Sequence, residues 1–191
     1  MIPLREFRPA ASLVLLFTLV IGVILIPAFT GLMQLALPFQ ANGSLIRVNG
    51  QTVGSALIGQ NFSAAKYFMS RPSDLNTAYN AATSGASNLA PTSASLLKTI
   101  RQRVAAYVKA YGPGPVPADA VTGSGSGLDP DISLANALRQ APAVAAARHL
   151  PATTVLNLVE QNTRHAFLGI IGTDHVNVLE LNLALDRLPP S

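Results

Sequence analysis

The stretch 121-VTGSGSGLDPDIS-133 gathers residue types that handle phosphates and acyl groups, with three glycines alternating with two serines ahead of a rigid Leu-Asp-Pro. Each chemistry has a spacing that can be tested. A phosphate-cradling Walker loop needs a Lys directly after its last glycine, and Leu128 follows Gly127. A dinucleotide fingerprint needs glycine at its first, third and sixth positions; counted from Gly123, the sixth is Leu128. A nucleophile elbow needs G-x-S-x-G, but the central residue after Gly123-Ser124 is Gly125. The nearest approach to that elbow, Gly85-Ala-Ser-Asn-Leu89, ends in Leu. His149, His165 and His175 do not stand at a metal-binding spacing such as H-E-x-x-H. The Asp-Lys-Thr-Gly-Thr run that a phosphorylated ATPase requires does not occur in the sequence. No catalytic residue and no metal ligand is therefore expected.

What remains is an ordered turn. Asp129-Pro130-Asp131 fixes its exit, Thr122 and Ser124 can bond nearby backbone, and the glycines permit positive φ and close approach by another backbone. Such a turn presents amides and hydroxyls to a neighbour. Residues 72–97 raise a related question, because Asp74 is their one charge among many short polar side chains. They read either as an irregular loop that satisfies its own backbone, or as a surface covered by another subunit, since interface centres are poor in charge. The candidate subunit-contact residues of the two segments are Ser84, Ser87, Asn88, Asp119, Thr122, Ser124, Ser126 and Asp129.

The elements that must position these residues begin with an apolar N-terminus. The chain is 49% apolar and 12% charged, with a net charge of +4 and neither Cys nor Trp. Without Cys there is no disulfide framework. The positive charge is scattered and not interleaved with aromatics, which excludes a nucleic-acid surface. From Pro9 to Ile46 there is no Asp, Glu, Lys or Arg. Residues 10–31 suffice to cross a ~30 Å hydrocarbon core, and exceed the ~7–15 apolar residues of a signal peptide. An uncleaved anchor in contact with membrane lipid is expected. Arg5 and Arg8 precede it and no basic residue follows until Arg47, so residues 1–9 should face the cytoplasm and residues 40–191 the periplasm. Thr18 and Gly22, one turn apart, offer small side chains for packing against another membrane helix.

The rest reads as one domain. A hairpin is expected over 45–58 around Asn49-Gly50, the preferred pair for a type I′ turn. Ser63 should cap a short helix through Met69. Ser93 or Ser95 should open a helix that Gly112 and Pro113 stop. Asp131 or Ser133 should cap a helix towards Gln140. Pro142 should start the next, to about His149, and Pro151 a third, to about His165. Gly169 and Gly172 mark a turn, and residues 176–185 should form a helix because their apolar positions switch parity between Val178 and Leu179. The fold class is α+β: a single N-terminal transmembrane helix plus one helix-rich mixed α/β extracytoplasmic domain.

Five runs then carry a resemblance: Val53-Gly-Ser-Ala-Leu-Ile-Gly-Gln60, Tyr67-Phe-Met-Ser-Arg-Pro-Ser73, Ser84-Gly-Ala-Ser-Asn-Leu-Ala-Pro91, Asp119-Ala-Val-Thr-Gly-Ser-Gly-Ser-Gly-Leu-Asp-Pro130 and Val176-Asn-Val-Leu-Glu-Leu-Asn182. In that order they resemble the C subunit of the bacterial potassium-transporting Kdp ATPase (the KdpC family). Small departures from the pattern occur at Ala86, Ala90, Gly123 and Asp131. The resemblance implies an accessory subunit of an inner-membrane potassium pump. Its partners would be a channel-like K⁺-binding subunit, a P-type ATP-hydrolysing subunit and a small peptide. The resemblance also implies a role as catalytic chaperone that raises the pump's affinity for ATP, so ATP enters through it alone. Residues 72–97 and 119–130 would then dock on the external face of the channel-like subunit. The competing readings are a membrane-anchored periplasmic enzyme and a solute-binding protein.

Overall fold

The computed structural model describes residues 4–189. They divide into two units, one through Leu45 and one from Ile46 onward. The first is one long apolar helix. Helix α1 (Leu4–Phe17) passes into a π-helical segment (Thr18–Leu25) and then α2 (Ile26–Ala36). Arg5–Ala36 together is 32 residues, with mean hydropathy 2.7 in its most apolar window and none of that window buried. At ~1.5 Å per residue this is roughly 48 Å, enough to cross a bilayer. The helix thus runs past the expected 10–31 at both ends; Met1–Pro3, within the expected cytoplasmic tail, lie outside the described residues. The Thr18 hydroxyl donates to the Val14 carbonyl at 2.8 Å where the π segment begins, the kind of back-bond that disturbs a helical ladder. A single turn, α3 (Pro38–Ala41), leads out.

In the second unit, β1 (Leu45–Val48) and β2 (Gln51–Ser55) form the expected hairpin. Asn49 and Gly50 have φ of 51° and 79°, as a type I′ turn requires. Ser93 caps α4 (Ala94–Tyr111) by accepting from the Leu96 N–H, and Gly112 closes it at φ 86°. Ser133 caps α5 (Leu134–Ala147), whose Pro142 lies inside the helix. The expected break there does not occur. Ala137, Ala141, Val144 and Ala145 form one continuous buried stripe, and its burial outweighs the hydrogen bond that Pro142 cannot donate. Helix α6 (Ala152–Gln161) begins after Pro151 as expected but ends short of His165.

It ends there because the chain turns into a sheet that the sequence does not announce. Strands β3 (Asp131–Ser133), β4 (Thr163–Arg164) and β5 (His175–Asn177) pair antiparallel in the order β3-β5-β4, with Ile132 opposite Val176 and Thr163 opposite Val176. The expected C-terminal helix starts only at Val178, as α7 (Val178–Asp186), capped by Asn177 through the Glu180 N–H. The parity switch after Val178 marks this strand-to-helix junction. The core lies between the sheet and α5, α6 and α7: Phe68, Ile132, Val144, Val155, Val159, Val176, Leu181 and Leu185 are essentially inaccessible.

Residues 63–69 are a turn and not the expected helix. Two buried side-chain amides take the backbone that a helix would have used. Asn182 accepts from the Phe68 N–H at 2.8 Å and donates to the Phe68 carbonyl at 2.9 Å. Gln140 does the same for Met69, at 2.8 and 3.2 Å. Replacing Asn182 by Leu keeps the volume but strands both Phe68 groups, and should cost roughly 2–5 kcal/mol. Urea unfolding of the full chain in detergent measures this; an unchanged midpoint would show that the amide pair does not hold the segment.

Candidate subunit-contact site

The Gly-Ser stretch is anchored before it starts. Asp119, in a single 3₁₀ turn (Ala118–Ala120), accepts from the Ser133 N–H at 2.9 Å, the Ser133 hydroxyl at 2.8 Å and the Asn136 amide at 3.0 Å. Asp119 therefore fixes the N-terminus of α5 and is half-buried. Thr122 Oγ1 donates to the Ala118 carbonyl at 2.7 Å, closing the next turn on itself.

From Gly123 onward the stretch is clasped by residues 71–85. The Arg71 guanidinium binds Asp129 at 2.7 Å and reaches the Gly123 carbonyl at 3.4 Å. Ser73 Oγ donates to the Gly127 carbonyl at 2.8 Å. The Gly85 N–H and the Ser84 hydroxyl both reach the Ser126 carbonyl, at 2.9 and 3.2 Å. The Gly59 N–H takes the Leu128 carbonyl at 2.8 Å. Arg103 of α4 closes the far side, 2.6 Å from Asp74 and 3.4 Å from the Val121 carbonyl. The two segments singled out in the sequence thus meet, and much of what the turn presents is taken by its own chain.

Within the Gly-Ser stretch itself, glycine is required at two positions. A Cβ on Gly123 would stand 2.0 Å from Asp74 Oδ2. One on Gly127, at φ 68°, would stand 2.6 Å from Leu75 Cγ and 2.9 Å from the Gly85 carbonyl. Gly125, between them, has open space. Of the candidate residues, Ser84, Ser87, Asn88 and Ser126 are exposed, Asp119, Thr122 and Asp129 are half-covered, and Ser124 is buried. The exposed run Ser87–Leu89 and the exposed Gly125 and Ser126, tied together through the bonds of Ser84 and Gly85 to the Ser126 carbonyl, form an uncharged rim. The sequence reading missed Arg71, Ser73, Asp74 and Arg103, which build the clasp. Asp74, the lone charge of its segment, was the available signal.

The clasp does not fit a nucleotide. Asp74 and Asp129 set carboxylates against the glycine turn, where a phosphate would need amides and cations. A cavity of about 440 Å³ between α4 and residues 69–79 fits no better. The hydroxyls of Tyr79, Tyr107 and Tyr111 turn to the Arg71 carbonyl, Asn136 and Gln140, leaving the rings to line it. Its cations, Arg71 and Arg103, are held by Asp129 and Asp74. Burial raises all three tyrosines above their ordinary value, which keeps them neutral.

In the apolar helix, Thr18 and Gly22 line one shallow groove with Leu13, Val14, Phe17 and Ile21. This is the face on which the sequence places a helix contact. The groove straddles the junction of α1 with the π-helical segment, a rare geometry that often accompanies function.

Comparison with known proteins follows the same extent. Residues 7–187 match the family described as KdpC: K⁺-transporting ATPase, c chain. The potassium-transporting ATPase KdpC subunit of Mycobacterium tuberculosis (strain ATCC 25618 / H37Rv) is 51% identical over 187 residues, spanning 96% of this chain and 99% of its own. The corresponding subunit of Gemmatimonas aurantiaca is 50% identical over 187 residues, spanning 97% and 94%. That of Caulobacter vibrioides is 50% identical over 190 residues, spanning 98% and 96%.

Two outcomes test the site. Gly127→Ala should destabilise the domain by about 1–3 kcal/mol through strain at positive φ and the clash with Leu75, while Gly125→Ala should be close to neutral; paired denaturation curves measure the contrast. Asp131, beside the clasp, is pushed above its ordinary 3.8 by burial and by Asp129, against the pull of His175, Asn177 and Arg164. Its protonated form is the one the fold favours, so its contribution is complete below 3.8 and is lost as pH rises through the elevated value. Asp131→Asn should therefore raise Tm at neutral pH, and the gain should vanish towards acid pH in a melting series.

Proposed function

The chain belongs to the KdpC family, the c chain of K⁺-transporting ATPases, and from that premise we propose that it is a non-catalytic subunit that holds the pump together from the periplasmic side of the inner membrane. The long apolar helix is the anchor, with Arg5 and Arg8 on the cytoplasmic side. Its Thr18–Gly22 groove packs against a membrane helix of the complex. The rigid rim at Ser87, Asn88 and Ser126 docks on the external face of the channel-like K⁺-binding subunit. The P-type subunit and the small peptide complete the assembly.

The observation that carries this reading is the clasp. A charge-poor segment and the glycine turn, distant in sequence, are locked together by Arg71–Asp129, Arg103–Asp74 and the carbonyls of the turn. The result is a preformed polar rim without charges. Interface centres are depleted of charge, and a rigid surface loses little entropy on docking.

ATP enters this proposal only at a distance. The clasp's two arginines are already engaged by its carboxylates, and a periplasmic domain faces away from cytoplasmic nucleotide. A rise in the pump's ATP affinity is then a coupling free energy, typically about 1–3 kcal/mol, transmitted through the P-type partner.

Ser87→Arg with Leu89→Arg places two charges on the rim without touching the clasp and leaves Asn88, at φ 52°, in place. The double variant should keep its Tm yet lose most co-purification with the channel-like subunit in mild detergent. Cleavage of the domain by protease outside sealed spheroplasts should accompany this. Full assembly of the double variant would overturn the docking face, and protection from external protease would overturn the topology.

A further inference from the structure

Strands β4 and β5 are joined by a loop that breaks two rules of its own local structure. Residues 166–173 read Ala-Phe-Leu-Gly-Ile-Ile-Gly-Thr, without a charge. Phe167 and Ile171 pair across it, with N–H···O bonds of 2.9 and 3.0 Å, and the Ile170 N–H closes the tip on the Phe167 carbonyl at 3.2 Å. Leu168 and Gly169 occupy the tip at φ 53° and 72°. Positive φ at both central positions selects Asn, Asp or Gly, so a leucine at the first is unfavourable. That leucine gains nothing by packing either. Phe167, Leu168, Ile170 and Ile171 are 66%, 76%, 81% and 61% exposed. Among the described residues of this unit, no other run of consecutive large apolar side chains is so open. The fold gives no reason for the residues at this tip.

The base of the loop, by contrast, is firmly built. Asp174 accepts from the Ala166 N–H at 2.9 Å and sits 3.1 Å from His165 Nδ1, and Arg164 binds Glu180 at 2.6 Å. Polar, mutually paired groups thus ring the stem; Phe167 and Ile171 border a polar cavity on one side, and Leu168 and Ile170 at the tip carry only hydrocarbon. The stem from Ala166 to the tip rises roughly 7–10 Å at ~3.3 Å per residue, the depth at which interfacial apolar residues rest between headgroups and acyl chains. A protein-docking hot spot would be built on Trp, Tyr or Arg, and the tip has none of these. An apolar phase is also close at hand. Residues 37–44 connect the apolar helix to β1, a reach of roughly 28 Å even when fully extended, so the domain stays tethered near the bilayer that holds the helix.

We propose that the loop 166–173 is a second membrane attachment, which inserts Phe167, Leu168, Ile170 and Ile171 into the outer leaflet of the bilayer that holds the anchor. The occupant is the lipid surface itself. Because the stem charges pair internally, insertion depends on hydrocarbon and not on anionic headgroups. The inference rests on the anchored, periplasmic reading above.

The sequence contains no Trp, so a single Trp is a clean probe. The full-length Leu168→Trp chain is reconstituted into phosphatidylcholine vesicles with and without brominated acyl chains. Flotation with the vesicles reports the anchor, and Trp emission reports the loop, so failure of one is distinguishable from failure of the other. Blue-shifted emission, strongly quenched by the brominated lipid, is expected. Leu57→Trp, at a comparably exposed single leucine, should stay water-accessible and unquenched. Emission of a solvent-exposed Trp at 168, or equal quenching at 57 and 168, would overturn the proposal. So would a blue shift that brominated lipid does not quench, since that marks cover by protein. Leu168→Asn supplies the second measurement. It should raise Tm by relieving the positive-φ leucine while making Phe167 more susceptible to chymotrypsin on vesicles; a lower Tm would show that Leu168 serves the fold.

Discussion

Four buried side-chain amides hold this domain together. Asn136, Gln140, Asn177 and Asn182 are each at most 2% exposed. Buried polar groups of this kind are stabilising only when every donor and acceptor finds a partner. Here the partners are the main chain of segments that have no secondary structure to satisfy them. Asn182 and Gln140 bracket Phe68 and Met69, and Asn177 binds the Ala56 carbonyl at 2.9 Å. Asn136 joins Gln140, Tyr107 and Asp119 into one network. The helices α5 and α7 thereby serve as a template on which irregular chain is laid. This explains how a unit whose regular strands are two to five residues long still seats Phe68 in its core with no exposed surface.

The clasp extends the same logic from amides to cations. Residues 71–85 and 121–129 lack a regular ladder, so arginines and serines supply the partners that neighbouring strands would give. Arg71 and Arg103 each join a carboxylate on one side to a carbonyl of the turn on the other. The glycines are chosen by contact and not for flexibility, since Gly123 and Gly127 touch Asp74 and Leu75 where a methyl group has no room. A stretch with the composition of a linker is therefore one of the fixed points of the molecule. Its rigidity is what gives the uncharged rim a defined shape.

Signals confined to one segment were legible in the sequence. The long apolar helix, the Asn49-Gly50 hairpin, the caps at Ser93 and Ser133 and the stop at Gly112 each depend on neighbours within a few residues, and each is found. The errors fall where distant residues decide. Ser63 is a sound N-cap, but Asn182, more than a hundred positions later, takes the backbone of Phe68. Pro142 is a sound helix start, but the buried stripe of α5 carries the helix through it. Strands of two and three residues are too short for alternation to appear, so the sheet β3-β5-β4 left only the parity switch at Val178. At the candidate site, residues 72–97 were legible from their missing charge and residues 121–133 from their alternating glycines and serines. Their mutual contact was not, because Arg71–Asp129 and Arg103–Asp74 span 58 and 29 positions.

In the proposed arrangement, these features explain why a weak-looking surface suffices. An untethered protein needs aromatic anchors and a large apolar patch to bind tightly, and the rim at Ser87, Asn88 and Ser126 has neither. A chain fixed in the same membrane as its partner does not face that requirement. Tethering makes docking intramolecular, at effective concentrations on the order of millimolar, so an interface of modest affinity stays occupied. A modest interface can also open and close as the partner changes shape, because a bound subunit shifts a conformational equilibrium only by its difference in affinity for the two states. A rigid rim on a short tether is suited to that task. The clasp keeps the rim unchanged, so any difference in affinity arises from the partner's surface, and the anchor keeps the domain in place when contact is lost.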